Sequence, residues 1–167
     1  MLRKNPICIV GYSDSVMKVS TRGRYAIRIM LDIAMNGKDG PVSFKDVSTR
    51  QDISVKYMEQ IGSMLTRAGC LKSVRGSRGG YCLVGKASDY TIGKILRITE
   101  GPLSSVACLE GDINTCPRKM ECLTLPLWEK LNEAIDNVVD NMTLQDLIDC
   151  DTRRHMVNIE SDIGSGI

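Results

Sequence analysis

The stretch "ISVKYMEQIGSMLTRAGCLKSVRGSRGGYCLV", residues 53–84, decides the fold. Ser54 is a capping residue type, Met58, Ile61 and Leu65 recur at helical spacing behind it, and Gly69 stops the pattern. Two strand-like runs follow, "CLKSV" and "GYCLV", bracketing Arg75 to Gly80. Glycine gives that finger backbone freedom, and its two arginines, Arg75 and Arg78, supply forked donors suited to phosphate or base edges.

Upstream, Ser43 is followed three residues later by Asp46, a capping pattern for a short helix carrying Phe44 and Val47. The polar turn "TRQDI" separates it from the helix at Ser54. Two short helices joined by a tight turn read as a helix-turn-helix, and with the hairpin behind them as a winged helix whose wing is the Arg-Gly finger. Before them, Tyr25, Ala26, Ile29, Met30, Ile33 and Ala34 form a stripe with a 3.6-residue period that ends at Asn36-Gly37.

Downstream, Ile92, Ile95, Leu96 and Thr99 mark a helix from about Thr91 to Thr99, closed by "EGP". A loop rich in cysteine and proline runs to Pro126. Beyond it, Leu127, Leu131, Ile135, Val138 and Met142, flanked by Trp128, Ala134 and Val139, define a long amphipathic helix. One of its faces is expected to cover the domain and the other to meet a second copy in a dimer. Thr143 and Asp146 read as the cap of a short final helix, and the patternless tail "ESDIGSGI" as disordered. The expected class is therefore mainly α with a small β-hairpin wing. Its organisation is an N-terminal extension (1–16), a winged helix-turn-helix (17–86), a linker helix with cysteine loop and dimerisation helix (87–150), and a tail (151–167).

Charge divides the chain in the same place. Residues 17–86 hold 13 Lys or Arg against 5 Asp or Glu, and residues 87–167 hold 7 against 14, although the net charge is only +2. A basic half suits a polyanion, and an acidic half suits some other task. The apolar run Ile7 to Val10 is too short for a signal segment, and no run approaches the roughly 20 apolar residues of a spanning helix. A cytoplasmic location follows, where the seven cysteines are expected to be reduced, metal-bound or redox-active. With one histidine, no nucleotide loop and no nucleophile-base pattern, the sequence does not describe an enzyme.

Cys108, Cys116 and Cys122 share one polar loop, "ACLEGDINTCPRKMECLTLP", whereas Cys82 falls on a strand position and reads as structural. Three thiols off any apolar face are candidates for zinc, an iron-sulfur cluster or a redox switch. The loop holds no C-x-x-C pair, which disfavours a zinc ribbon; spacing alone ranks a cluster first with redox thiols close behind.

"MKVSTRGRYAIRIMLDIA", residues 53–83, "EGPL" and the three-cysteine loop before "LPLW" together closely resemble the bacterial iron-sulfur cluster regulators of the IscR type. Their relatives are the nitric-oxide sensor NsrR and the cysteine-metabolism repressor CymR. The resemblance runs from Met17 to about Asp149 and makes Met17 the usual start. It implies a homodimeric winged-helix repressor or activator, binding a pseudo-palindromic double-stranded DNA operator, with Cys108, Cys116 and Cys122 at the cluster cysteines. A [2Fe-2S] cluster is favoured over [4Fe-4S]. The fourth ligand departs from the pattern: Leu125 stands where the assembly regulators have histidine, Arg24 and Arg28 stand where other sensors have a first-helix ligand, and His155 lies in the tail.

On this reading Ser54, Lys56 and Tyr57 face the major groove. Glu59 matches a glutamate that discriminates between operator classes, since a carboxylate accepts from cytosine N4 and repels other acceptors. Arg75 and Arg78 reach the minor groove or backbone, and Lys18, Arg22 and Arg24 contact phosphates. The alternative is a cluster-free thiol-switch repressor of cysteine metabolism, controlled by oxidants or a partner protein.

Overall fold

The computed structural model describes residues 19–111 and 113–152. Lys18, the extension and His155 lie outside the described residues.

Six helices and one hairpin follow in chain order: α1 (Thr21–Asn36), α2 (Phe44–Gln51), α3 (Val55–Arg67), β1 (Leu71–Val74), β2 (Gly80–Leu83), α4 (Ile92–Glu100), α5 (Leu125–Asp140) and α6 (144–152). The strands pair antiparallel with Leu71 opposite Leu83 and Val74 opposite Gly80. This is the expected mainly α architecture with a hairpin wing.

The caps read from the sequence, Ser43, Ser54 and Thr143 with Asp146, lie where expected, and Ser20 and Thr91 cap α1 and α4 in addition. Ser20, Ser43, Ser54 and Thr91 accept from backbone N–H groups at the starts of α1 to α4, and Thr143 exchanges hydrogen bonds with Asp146 at the start of α6. Each such cap is worth about 1 kcal/mol. α3 ends in a Schellman motif: the Cys70 N–H reaches the Leu65 carbonyl, the Gly69 N–H reaches Thr66, and Gly69 sits at φ 71°. α5 starts two residues earlier than the apolar pattern suggests, because Pro126 fits the first turn, where its missing N–H has no helical partner to lose. It ends at Asp140, so Met142 falls just past it.

α1 is the central post, packed by α2, α3, β2 and α4. Ile29, Met30 and Ile33 of α1 meet Val47, Met58, Ile61, Leu65, Ile95 and Leu144 in one core, all essentially inaccessible to water. Burying each such side chain contributes about 1.5–3 kcal/mol. With a single phenylalanine in the chain, shape has to come from aliphatic and methionine packing. Leu144 is in that core because the chain returns after α5: Thr91 and Thr143 bridge, with Ile92 N–H to the Met142 carbonyl at 2.8 Å and Leu144 N–H to Tyr90 at 3.0 Å.

The wing is fixed to the helix-turn-helix by Phe44, whose ring stacks on Tyr81 of β2 at 3.9 Å between centroids. Gly62 of α3 makes room for it, since a Cβ there would stand 2.5 Å from Phe44 Cζ. Val42 adds a strand-like bridge to Tyr81, closed by hydrogen bonds of 3.0 and 2.8 Å. Behind the wing, the Tyr90 hydroxyl donates to the Cys70 carbonyl and accepts from the Gly85 N–H. The wing thus leaves the body in a direction set by a ring stack and a buried hydroxyl.

Candidate nucleic-acid interface and cysteine loop

The side chains expected at DNA are largely on the surface. At the start of α3, Ser54, Lys56 and Glu59 are exposed, and Tyr57 is half-buried against Tyr25 of α1, edge to face at 5.8 Å. Arg75 and Arg78 are exposed at the wing tip, where Gly76 adopts φ 123° and its carbonyl accepts from the Gly79 N–H. Arg22 and Arg24 are exposed on the first turn of α1, with Arg24 donating to Thr21 Oγ1 at 3.2 Å. Arg28 is exposed but engaged at the surface: its guanidinium lies 5.5 Å from the Tyr25 ring centre and donates to the Gln51 side chain and carbonyl.

α2 is held to α1 by a buried acid. Asp32 accepts from Arg50, from Gln51 Nε2 at 2.9 Å and from Asn36 Nδ2 at 3.3 Å. The carboxylate keeps the Arg50 pKa above its ordinary value. The turn into α3 passes through Asp52 at φ 53°, a left-handed position that aspartate tolerates better than most residues.

Sequence reasoning missed a groove between α3 and the wing, lined by Glu59, Ser63, Thr66 and Arg67 with Ser73 of β1 and Tyr81 of β2. The signal was present in the i, i+4, i+8 spacing of Glu59, Ser63 and Arg67, which places them on one helix face.

The cysteine loop joins α4 to α5. Cys108 sits in a 3₁₀ turn (Ala107–Leu109), Cys116 donates its backbone N–H to Asn114 Oδ1 at 2.9 Å, and Cys122 ends a second turn (Lys119–Glu121). All three thiols are half-buried. Cys122 Sγ lies 3.4 Å from Thr124 Oγ1, which itself accepts from Trp128 Nε1 at 3.3 Å. Thr124 Oγ1 therefore lies between the indole N–H and the sulfur, where its hydroxyl hydrogen is free to be donated to a Cys122 thiolate. The Thr124 side chain first, then its backbone N–H, holds the Cys122 thiol below the usual cysteine range.

Three thiols on one loop, one of them biased toward thiolate, have the donor chemistry of a cluster or soft-metal site. Among the described residues no three or more His, Cys, Asp or Glu side chains are gathered for a metal. Leu125, at the expected fourth position, is apolar and opens α5.

The loop is tied to both neighbours. Ser105 donates its backbone N–H and hydroxyl to Asn132 of α5 at 2.8 and 2.7 Å. Arg97 of α4 forks onto Asp136 and Asp140 of α5. Where the loop leaves α4, Glu100 accepts from Ser20 Oγ at 2.6 Å, the same hydroxyl oxygen that caps α1. α5 has no buried residue, and Leu127 and Val138 on its expected apolar stripe are exposed, as are Met120 (88 %) and Leu123 (97 %) of the loop. Among the described residues no helix is long and apolar enough to cross a membrane.

Comparison with known proteins agrees with this architecture. A family model described as "Rrf2: Iron-dependent Transcriptional regulator" matches residues 19–150. Protein rrf2 of Nitratidesulfovibrio vulgaris is 42% identical over 132 residues, which is 79% of this chain and 87% of that protein. The solved structure of CymR, the global cysteine regulator of B. subtilis, superposes with a TM-score of 0.65 at 36% identity, covering 78% of this chain and 95% of that one. T. potens IscR gives 0.63 at 37% identity, covering 79% and 86%.

Proposed function

The chain belongs to the Rrf2 family of transcriptional regulators, and on that premise we propose that it is a homodimeric operator-binding regulator controlled by an iron-sulfur cluster on Cys108, Cys116 and Cys122. The observation that carries the reading is the position of the loop. It joins α4, which packs on the central helix of the DNA-binding head, to α5, whose apolar stripe is exposed at Leu127 and Val138 and half-buried at Leu131 and Ile135.

Each part of the chain has a task. Ser54, Lys56, Tyr57 and Glu59 enter the major groove, while Arg75 and Arg78 on the wing, with Lys18, Arg22 and Arg24, hold the flanking backbone. The α5 stripe of Leu127, Leu131, Ile135 and Val138 packs on its copy, so two heads meet half-sites about 34–36 Å apart. At such a spacing, small shifts of α4 against α5 change whether both heads fit. Bound at the loop, a cluster supplies a redox-sensitive cross-link among the three thiols. A cluster held by all three would tie the loop together, and Ser105–Asn132 and Glu100–Ser20 are the hydrogen bonds that join its start to α5 and α1.

A second reading is a cluster-free thiol regulator of cysteine metabolism. The lowered Cys122 and the likeness to CymR support it. Anaerobic purification, a visible spectrum and iron and acid-labile sulfide counts on the wild type and Cys108→Ala separate the two. A chromophore present in the wild type and lost in the variant supports cluster control. A colourless, iron-free wild type that still binds DNA gives the thiol reading.

A further inference from the structure

The major and minor grooves of a duplex are divided by one sugar-phosphate strand. A protein that lays a helix in the major groove and a wing in the adjacent minor groove therefore straddles that strand, which must pass through the space between them. Here the space is a groove of about 490 Å³ between α3 and the hairpin, lined by Glu59, Ser63, Thr66, Arg67, Ser73 and Tyr81.

Its chemistry is that of a phosphate seat. Four of the six residues carry hydroxyls, and the one cation, Arg67, is exposed. Arg67 donates to Ser63 Oγ at 3.3 Å, and among the described residues it has no carboxylate partner. It stands in the last turn of α3, where the negative end of the helix dipole would otherwise repel an anion. Glu59 lies eight residues away, about 12 Å along the helix. A carboxylate there repels phosphate, so it keeps the strand at the Arg67 end and stays available to base edges.

We infer that this groove seats the sugar-phosphate strand between the two DNA grooves, with Arg67 as its phosphate-binding residue. The inference rests on the DNA-binding reading above and adds a contact class to it. Arg67 sets affinity and its salt dependence, not sequence preference.

The test measures dissociation constants against salt on two duplexes, one selected by the wild type from a random library and one of arbitrary sequence. Arg67→Ala, Arg67→Gln and Arg67→Lys are compared with wild type, with Lys38→Ala as an exposed control and thermal melts to confirm folding. Losing one phosphate contact lowers the slope of log affinity against log salt by about 0.9, so a dimer that loses one on each of its two heads shows a decrement of about 1.8. That decrement is expected for Arg67→Ala and Arg67→Gln on both duplexes, with equal weakening on each and recovery of the slope in Arg67→Lys. An unchanged slope, or a loss confined to the selected duplex, overturns the phosphate seat while leaving the regulator reading intact. A folded wild type that binds neither duplex defeats the regulator reading itself.

Discussion

Arg50 of α2 donates through Nε and Nη2 to the carboxylate of Asp32, a group only 3 % exposed in the middle of α1. This pair fixes the first helix of the helix-turn-helix to the post around which the head is built. Removing one partner of a buried pair leaves the other without compensation, at a cost of about 3–5 kcal/mol when both are buried. Arg50 is partly solvated, so Arg50→Met is expected near the lower end, about 3 kcal/mol. Urea unfolding checks the value. A midpoint equal to wild type would mean that Gln51 and Asn36 alone satisfy Asp32.

Gly62 sets the angle between the recognition helix and the wing. A methyl group there displaces Phe44, and Phe44 cannot move without giving up its stack on Tyr81. Gly62→Ala is expected to cost about 1–3 kcal/mol as an overpacked site. The same change in a Phe44→Leu background should cost less, because the clash is then absent. Thermal unfolding of the two singles and the double measures this coupling, and simple additivity would place the strain elsewhere.

Much of this head is legible in the sequence, and the reason is local. Ser43, Ser54, Thr91 and Gly69 act within one turn of themselves, so their chemistry and position suffice to bound the helices. The Phe44–Tyr81 stack, the seat of Gly62 and the Asp32–Arg50 pair join residues 18 to 37 positions apart and appear only once the helices are packed. The cysteine loop shows the converse. Its residue types announce a thiol chemistry, but among the described residues no three potential ligands are gathered, because residue type is local and the arrangement of three side chains along a loop is not. The groove holding Arg67 was missed because two of its six lining residues, Ser73 and Tyr81, come from the wing and only the helix face carries a periodic signal.

The lowered Cys122 pKa makes a pH prediction. A thiol held below its ordinary range is already thiolate at pH values where a free cysteine is protonated, so its alkylation rate reaches a plateau at lower pH. Thr124→Val removes the hydroxyl nearest the sulfur and should move the Cys122 rate profile to higher pH. Trp128→Phe, which frees the Thr124 oxygen from the indole N–H, should move it less. Mass-spectrometric iodoacetamide kinetics on metal-free protein read both shifts. A profile unmoved by Thr124→Val would assign the bias to backbone donors alone.

Leu127 and Val138 stand eleven residues apart on α5, about three turns, which returns them to the same side of the helix; they are 58 % and 61 % exposed. Covering such a stripe with a second copy removes apolar surface that one head cannot bury. Val138→Asp is expected to shift the protein from dimer to monomer in sedimentation at micromolar concentration. Thermal stability of the head should remain close to wild type, since the neighbouring Val139, and not the exposed Val138, is the α5 side chain packed against its core. Affinity for a two-half-site duplex should then fall far more than affinity for a single half-site. A monomeric wild type, or a Val138→Asp dimer, would remove α5 as the dimer helix.

Ser20 and Glu100 supply the last test. Ser20 Oγ does two things at once: it accepts from the N–H groups of Arg22 and Gly23, capping α1, and it donates to Glu100 at the entrance of the cysteine loop. Glu100→Ala deletes the second function and spares the first. Stability should therefore fall by only about 1 kcal/mol, the net worth of one hydrogen bond. The first turn of α1, with the exposed Arg22 and Arg24, is then no longer tied to the loop. If the loop speaks to DNA through this contact, the ratio of operator affinities between the cluster-loaded and cluster-free protein moves toward one in Glu100→Ala while the spectrum of the loaded form is unchanged. A full ratio in the variant would send the signal through Arg97 and its fork onto Asp136 and Asp140 instead, and Arg97→Ala would then carry the loss.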